Sequence, residues 1–287
     1  MMNKRWLVNV ILFVAIALLA ILLLVQPGIE KPAKKERIST IRDDEISRIT
    51  IERNKAPTIV LERKGADNWV VAKPRSGRAN PFMASGALRV MRAQSEQRLP
   101  EDASNNLDRY GLASPRGRVR FDDHILAFGD TNPVNNQQYV LLDMQVHMID
   151  HRYFQAVSRN YTDFLSRQLI DPGRKPVRLA LPNLSLRIVD GSWQVSPAQP
   201  TLTADRIKQL ADDWQHAQAL YVKPYEKSSI QNWVTLWFAP LEEGGKESTL
   251  RIGILSQAPD LVLYRPDEGL QYHFPQDLSS RLFTFDK

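Results

Sequence analysis

Val177–Trp214 reads VRLALPNLSLRIVDGSWQVSPAQPTLTADRIKQLADDW. Val177–Leu181 and Leu184–Val189 are short apolar runs, Asp190-Gly191 is a two-residue turn signal, and Trp193-Gln194-Val195 resumes the alternation until Pro197 interrupts it. Thr203 then offers an N-cap oxygen, and Ile207, Leu210, Ala211 and Trp214 follow at helical spacing. Short antiparallel strands with one amphipathic helix laid across them account for that order.

The same succession stands upstream. Ile46, Arg48, Ile49 and Ile51 open a strand, Thr58–Arg63 continues it, Gly65-Ala66-Asp67-Asn68 turns, and Trp69-Val70-Val71 leads to Pro74. Asn80 is an N-cap with Pro81 at the first helical position, and Ala84, Ala87, Leu88 and Met91 form the apolar stripe. Strands over Val119–Phe121, Ile125–Phe128, Tyr139–Leu142 and Val146–Ile149 complete that half.

Trp69 with Trp193 and Gly129 with Gly253 share one register. Pro74 with Pro197, and Ala84, Ala87, Leu88 and Met91 with Ile207, Leu210, Ala211 and Trp214, fall one position short of it. A deletion after Trp193, regained in a later loop, reconciles the two. The sequence thus predicts a tandem duplication, residues 38–171 and 172–287, in an α+β fold. Each unit is expected to be a largely antiparallel sheet with a helix across one face.

Ahead of these units, Trp6–Val25 reads WLVNVILFVAIALLAILLLV, broken only by Asn9. At 1.5 Å per residue it is long enough for about 30 Å of hydrocarbon. Residues 1–26 are therefore expected to be a transmembrane helix contacting the lipid bilayer through Trp6 to Val25. Residues 27–37, rich in Pro and Lys, are expected to be an extended linker. No small-x-small cleavage site follows the run, which favours a retained anchor over a signal peptide.

The formal charge of the chain is +6. Lys4 and Arg5, and the cluster Lys31, Lys34, Lys35 and Arg37 set against Glu30 and Glu36, carry most of it. Only about +2 is left for the globular part, too little for a nucleic-acid footprint. Without cysteine the chain has no disulfide, thiolate metal site or cysteine nucleophile.

Neither a Gly-x-Ser-x-Gly elbow nor a dinucleotide or Walker loop occurs, and Gly244-Gly245-Lys246-Glu247 reads as a hairpin turn. His147 and His151 would share a helix face, but their surroundings read as strand, which separates them by about 13 Å. The acidic pairs Asp43-Asp44, Asp122-Asp123, Asp212-Asp213 and Glu242-Glu243 do not converge. Arg75, Arg78, Arg89, Arg92, Arg98, Arg116, Arg118 and Arg120 make the first half locally basic, suited to a solvated face, an acidic partner or a lipid headgroup surface. Catalytic, cofactor and metal sites are accordingly not expected. Trp69 and Trp193 read as core anchors.

Trp69 with Pro74, Tyr110-Gly111-Leu112-Ala113-Ser114-Pro115, a strand ending in Gly129-Asp130, and Tyr139-Val140 together resemble the bacterial family called domain of unknown function 4340. The resemblance implies a single-pass protein of the bacterial inner membrane with a periplasmic globular region. It also implies a membrane or envelope protein as partner, beside the auxiliary components of gliding-motility-type ABC transporters. The family supplies no catalytic residues, and the second half lacks the Tyr-Gly-Leu motif. The expected function is an extracytoplasmic accessory or interaction module; the alternative is an envelope enzyme or a glycan- or peptide-binding protein.

Overall fold

The computed structural model describes residues 6, 10, 12–18, 36–66, 68–242 and 244–283. They fall in two units, Met1–Glu36 and Arg37–Lys287. In the first, Trp6, Val10 and residues 12–18 are helical, and Leu12, Phe13, Val14, Ile16 and Leu18 expose their side chains. No helix among the described residues is long and apolar enough to cross a membrane, which corrects the expected transmembrane helix. Residues 12–18 rise only about 10 Å, and the rest of the Trp6–Val25 run, like the 27–35 part of the linker, lies outside the described residues.

The second unit begins with β1 (Arg48–Arg53), β2 (Ala56–Arg63), β3 (Trp69–Lys73), β4 (Gly77–Arg78) and α1 (Pro81–Leu88). It continues through β5 (Gln97–Arg98), β6 (Gly117–Phe121), β7 (His124–Thr131), β8 (Gln137–Leu142), β9 (Gln145–Asp150) and α2 (Arg152–Val157). Then come β10 (Pro176–Ala180), β11 (Ser185–Val189), β12 (Ser192–Ser196), α3 (Ala204–Gln215) and β13 (Tyr221–Pro224). β14 (Asn232–Phe238), β15 (Ser248–Ser256), β16 (Leu261–Arg265), β17 (Leu270–Phe274) and α4 (Gln276–Phe283) close the chain.

Period-two alternation builds the strands. In β6, Gly117, Val119 and Phe121 are buried while Arg118 and Arg120 face water, so one face is apolar and the other solvated. The strands form a nine-stranded sheet, β4-β3-β2-β1-β6-β7-β8-β9-β5, and an eight-stranded one, β12-β11-β10-β14-β15-β16-β17-β13. Leaving out β4, the two orders coincide strand for strand, and α1 and α3 occupy the same place in each. The Lys73-Pro74 and Ser196-Pro197 peptide bonds after β3 and β12 are both cis.

The architecture is mostly β, with two antiparallel sheets and few helices, and it replaces the expected α+β fold. Apolar positions at helical spacing are buried where expected: Ala84, Ala87, Leu88 and Met91 in the first half, Ile207, Leu210, Ala211 and Trp214 in the second. Yet Met91 lies in a 3-10 turn, Arg89–Arg92, beyond α1, and helices this short cover only part of sheets this wide. One apolar cluster includes Ile49, Leu61, Phe121 and Phe128 from the first sheet with Leu186, Leu236, Ile252 and Tyr272 from the second.

The halves are also tied through the backbone of the connecting segment. Asn80 N–H donates to Phe164 O at 2.7 Å and Ser166 N–H to Arg78 O at 2.8 Å, so the far side of β4 is covered. From the other half, Leu169 N–H donates to Ala217 O at 2.9 Å and Ala219 N–H to Arg167 O at 2.8 Å.

Candidate functional site

Most of the motif residues expected from sequence meet at one place in the first sheet. Tyr110 ends a 3-10 turn, Gly111 adopts φ 66°, and Leu112 is buried beneath it. The turn lies on β7 so closely that a Cβ on Gly129 would collide with the Tyr110 carbonyl and meet Leu112 Cγ at 2.9 Å. A Cβ on Gly111 would in turn strike the Asp130 carboxylate. Only glycine fits at either position. Tyr139 packs its ring, tilted by 53°, 4.9 Å from that of Tyr110 and accepts from Asn132 Nδ2 at 2.9 Å.

Leu99, Ala103, Leu112, Ala127, Val146 and Met148 form a second, smaller apolar cluster there. The chain between β5 and β6 thus roofs the outer face of the first sheet. Pro115 is buried just after this roof, and its carbonyl accepts from Asn54 Nδ2 at 3.4 Å.

The remaining motif residues lie elsewhere. Trp69 is buried in β3 with the Arg63 guanidinium 4.6 Å from its ring centroid, and Pro74 follows that strand. Trp193 is half-buried on the edge strand β12, so the two tryptophans sit in different surroundings. Gly253 lies in β15 with Ile230 Cγ2 3.1 Å from where a Cβ would be.

Where the halves meet, Arg78, Asp171, Arg265, Glu268 and Tyr272 form a buried charged cluster. Arg78 Nε lies 2.6 Å from Glu268 Oε1 and 2.9 Å from Asp171 Oδ1, and Tyr272 OH donates to Glu268. Arg265 is 3.6 Å from Glu268 and donates to Leu169 O at 2.8 Å. Burial acts to lower the pKa of both arginines, but the facing Glu268, with Asp267 for Arg265, helps to outweigh it and both are raised. Burial likewise pushes Asp171 upward, yet Arg78 and Arg265 win and hold it below the usual carboxylate range. Burial and then Glu268 raise the Tyr272 phenol. Arg78, Arg265 and Asp171 are thus held in their charged forms and Tyr272 in its neutral one, which suits a structural lock better than proton transfer. A cleft of about 500 Å³ opens beside it, lined in part by Trp69, Arg78, Ser166 and Asp171.

The histidine candidates do not form a ligand pair. His147 is buried in β9 with Nδ1 3.0 Å from Ser95 Oγ, and burial, then Arg98, lowers its pKa. His151 lies at the start of α2. Among the described residues no group of three or more His, Cys, Asp or Glu could hold a metal ion.

The basic run of the first half disperses. Arg78 enters the buried cluster, Arg92 pairs with Asp43 at 2.8 Å, Arg98 donates to Gln145 at 2.9 Å, and Arg116 lies over Phe154. A concentrated cationic surface appears instead on the outer face of the second sheet, where sequence reasoning singled out no residue.

Among the described residues, the strands β10 to β17 contain no Asp or Glu. Their exposed face carries Arg178, Arg187 and Arg251, none of which has an ion-pair partner among the described residues. Pairing aligns Gln194, Arg187, Arg178, Trp237 and Thr249 in one row across five strands. Arg178 sits 4.4 Å from the Trp237 ring centroid and Arg251 3.9 Å from that of Trp233, both indoles being half-buried. Asp267 stands at the margin, lining a shallow cleft of about 300 Å³ with Trp233 and Arg251, and is itself paired with Arg265.

Two like charges, Arg178 and Arg187, are directly opposed in the ladder, an arrangement that costs stability unless an anion intervenes. A planar field of guanidiniums and indoles is suited to receiving carboxylates by bidentate hydrogen bonds. The signal that could have found it was the exclusively basic charge of the second half's strand segments.

The profile of the family described as Domain of unknown function (DUF4340) matches residues 69–229, more than half of the chain. Comparison with curated proteins and with solved structures returned no match.

Proposed function

We propose that this chain, which belongs to the Domain of unknown function (DUF4340) family, is a non-enzymatic interaction module that docks an acidic partner protein on the outer face of its second sheet. The observation that carries the reading is the directly opposed Arg178 and Arg187, without an ion-pair partner among the described residues, beside the indole of Trp237. A face with no carboxylate in its strands, left bare where the first sheet is roofed, is energetically better off covered by acidic groups than solvated alone. Arg and Trp are also the residue types that dominate binding energy at protein interfaces.

The wider setting rests on sequence. The apolar composition of Trp6–Val25 supports attachment to a lipid bilayer, in line with the exposed Leu12, Phe13 and Val14. The family resemblance supports the bacterial inner membrane, a periplasmic globular region and an accessory role beside an ABC-type transporter. A glycan-binding reading draws on Trp233 and Trp237, but the guanidiniums seated over those rings compete with sugar stacking.

The test is photocrosslinking from the Arg178 face of the full chain in intact cells, followed by mass spectrometry. Recovery of an ABC permease or auxiliary subunit is expected. Arg178→Glu with Arg187→Glu should weaken the contact and lower that recovery by about tenfold or more, the equivalent of about 1.4 kcal/mol or more for the pair. Recovery of this protein alone, in a preparation that keeps other membrane complexes intact, would overturn the reading.

A further inference from the structure

Sheet edges expose unpaired backbone N–H and C=O groups, and stable proteins guard them with short strands, charges, prolines or cover. Three of the four edges here are guarded. β4 and β5 are two-residue strands; β4 is covered by the Phe164–Ser166 segment, and β5 carries Arg98. β13 carries Lys223 and ends in Pro224.

The fourth edge, β12, lacks charge and proline within the strand and has no segment hydrogen-bonded along its outer side among the described residues, although α3 packs against it. Its sequence, Ser192-Trp193-Gln194-Val195-Ser196, holds no charge and no proline, and its pairing with β11 runs without a bulge. No strand or bridge among the described residues pairs with its other side.

The backbone groups that face outward can be identified in two ways. Asp190 and Gly191 have φ of 51° and 76°, the signature of a two-residue primed turn, so the flanking Val189 and Ser192 form a hydrogen-bonded pair. Alternation then directs the N–H and C=O of Ser192, Gln194 and Ser196 toward β11, and those of Trp193 and Val195 away from the sheet. The corresponding place in the first sheet agrees: the Trp69 carbonyl points away from β2 and accepts from Ala79 N–H at 3.0 Å, just after β4. Among the described residues the second half has no counterpart of β4, and none pairs with the outer side of β12 at Trp193.

We propose that β12 is the seat of strand addition by an extended, acidic segment of a partner protein, a reading that rests on the docking function above and specifies how the partner is held. Trp193 and Val195 would supply backbone hydrogen bonds, and the charge of the adjoining face selects the side chains. The outward row that starts at Gln194 runs directly to Arg187 and Arg178. Carboxylates on that face of an added strand would reach across Gln194 toward Arg187, about two strand spacings away, with Arg178 adding to the positive field behind it, and apolar residues on its other face would lie beside the half-buried Trp193 and Val195, which pack on the core. A second copy of this chain meets the edge with an uncharged strand and brings Arg187 toward its own equivalent, so it lacks that complementarity.

The experiment uses the full chain in mild detergent with two probes, a short peptide alternating valine and glutamate and its lysine-for-glutamate counterpart, read by amide hydrogen exchange and by titration. The glutamate peptide is expected to slow exchange at Trp193 and Val195. It should bind at least about tenfold more tightly than the lysine peptide, the equivalent of about 1.4 kcal/mol. Val195→Pro, which removes an outward donor while sparing the ladder to β11, should cost about tenfold or more in affinity. Equal binding of the two peptides, or protection elsewhere, would overturn the proposal. So would protection of β12 that grows with protein concentration alone, because a second copy would then cover the edge. If intact-cell crosslinks form from the arginine face while β12 stays unprotected, strand addition fails and the docking function survives; if neither appears, both fall.

Discussion

Replacing Arg187 by Glu should make the protein more stable. Arg187 and Arg178 are opposite one another in the β10–β11 ladder, both exposed and without an ion-pair partner among the described residues. Unit charges about 8 Å apart interact by about 0.5 kcal/mol at the permittivity of water and about 2 kcal/mol at an effective value of 20. A solvated sheet face lies toward the lower figure. Arg187→Glu turns about 0.5 kcal/mol of repulsion into about 0.5 kcal/mol of attraction, so a gain near 1 kcal/mol is expected, in keeping with cross-strand charge pairs. Arg187→Gln should give about half of it.

Urea unfolding followed by tryptophan fluorescence, at low salt and again near 1 M NaCl, measures the gain. It should largely vanish at high salt, where the screening length falls to about 3 Å. A variant that loses stability, or gains it equally at both salt concentrations, would refute the electrostatic account. Stability gained together with crosslinking lost would mark Arg187 as a residue that serves binding rather than folding.

Two further outcomes follow from packing and burial. Gly129→Ala should destabilise by about 1–3 kcal/mol in the same unfolding assay, since the Tyr110 carbonyl and Leu112 cannot both retreat from a methyl group, whereas Gly65→Ala, with its nearest atom at 3.8 Å, should change stability by less than about 0.5 kcal/mol. Glu268→Leu should cost about 3–5 kcal/mol, because the side chain is only 8% exposed and its loss leaves Arg78 and Arg265 buried together without it. Adding Arg78→Met to Glu268→Leu should recover part of that cost, and a further loss of stability in the double variant would count against the charged lock.

Much of the local structure was legible in the sequence. Asn80 and Thr203 cap α1 and α3 as read, and the apolar stripes behind them are buried. Asp190-Gly191 turns between β11 and β12. Each of these depends on neighbours two to four residues away, where spacing and turn chemistry are sufficient. The pairing of Trp69 with Trp193 placed both on matching strands but missed that one is a core residue and the other an edge residue. The Tyr-Gly-Leu motif was visible as residues; its role as a roof over β7 was not, because Gly129 and Tyr110 approach only through the fold.

The sequence by itself determined the strand segments of the first half and those up to Val195 in the second, the caps, the turns, the family and the absence of cysteine chemistry, but not the strands β13 to β17. The tertiary structure decided that the chain is mostly β rather than α+β, because sheet width comes from pairings between distant segments such as β1 with β6 and β10 with β14. It also decided which charges stand where: Arg78 and Arg92 of the first half are drawn into ion pairs and Arg118 and Arg120 face water on β6, while Arg178, Arg187 and Arg251, scattered along the chain, are gathered on the outer face of the second sheet. Local spacing sets which way a side chain points, but only the closed set of non-local contacts sets what, if anything, stands opposite it.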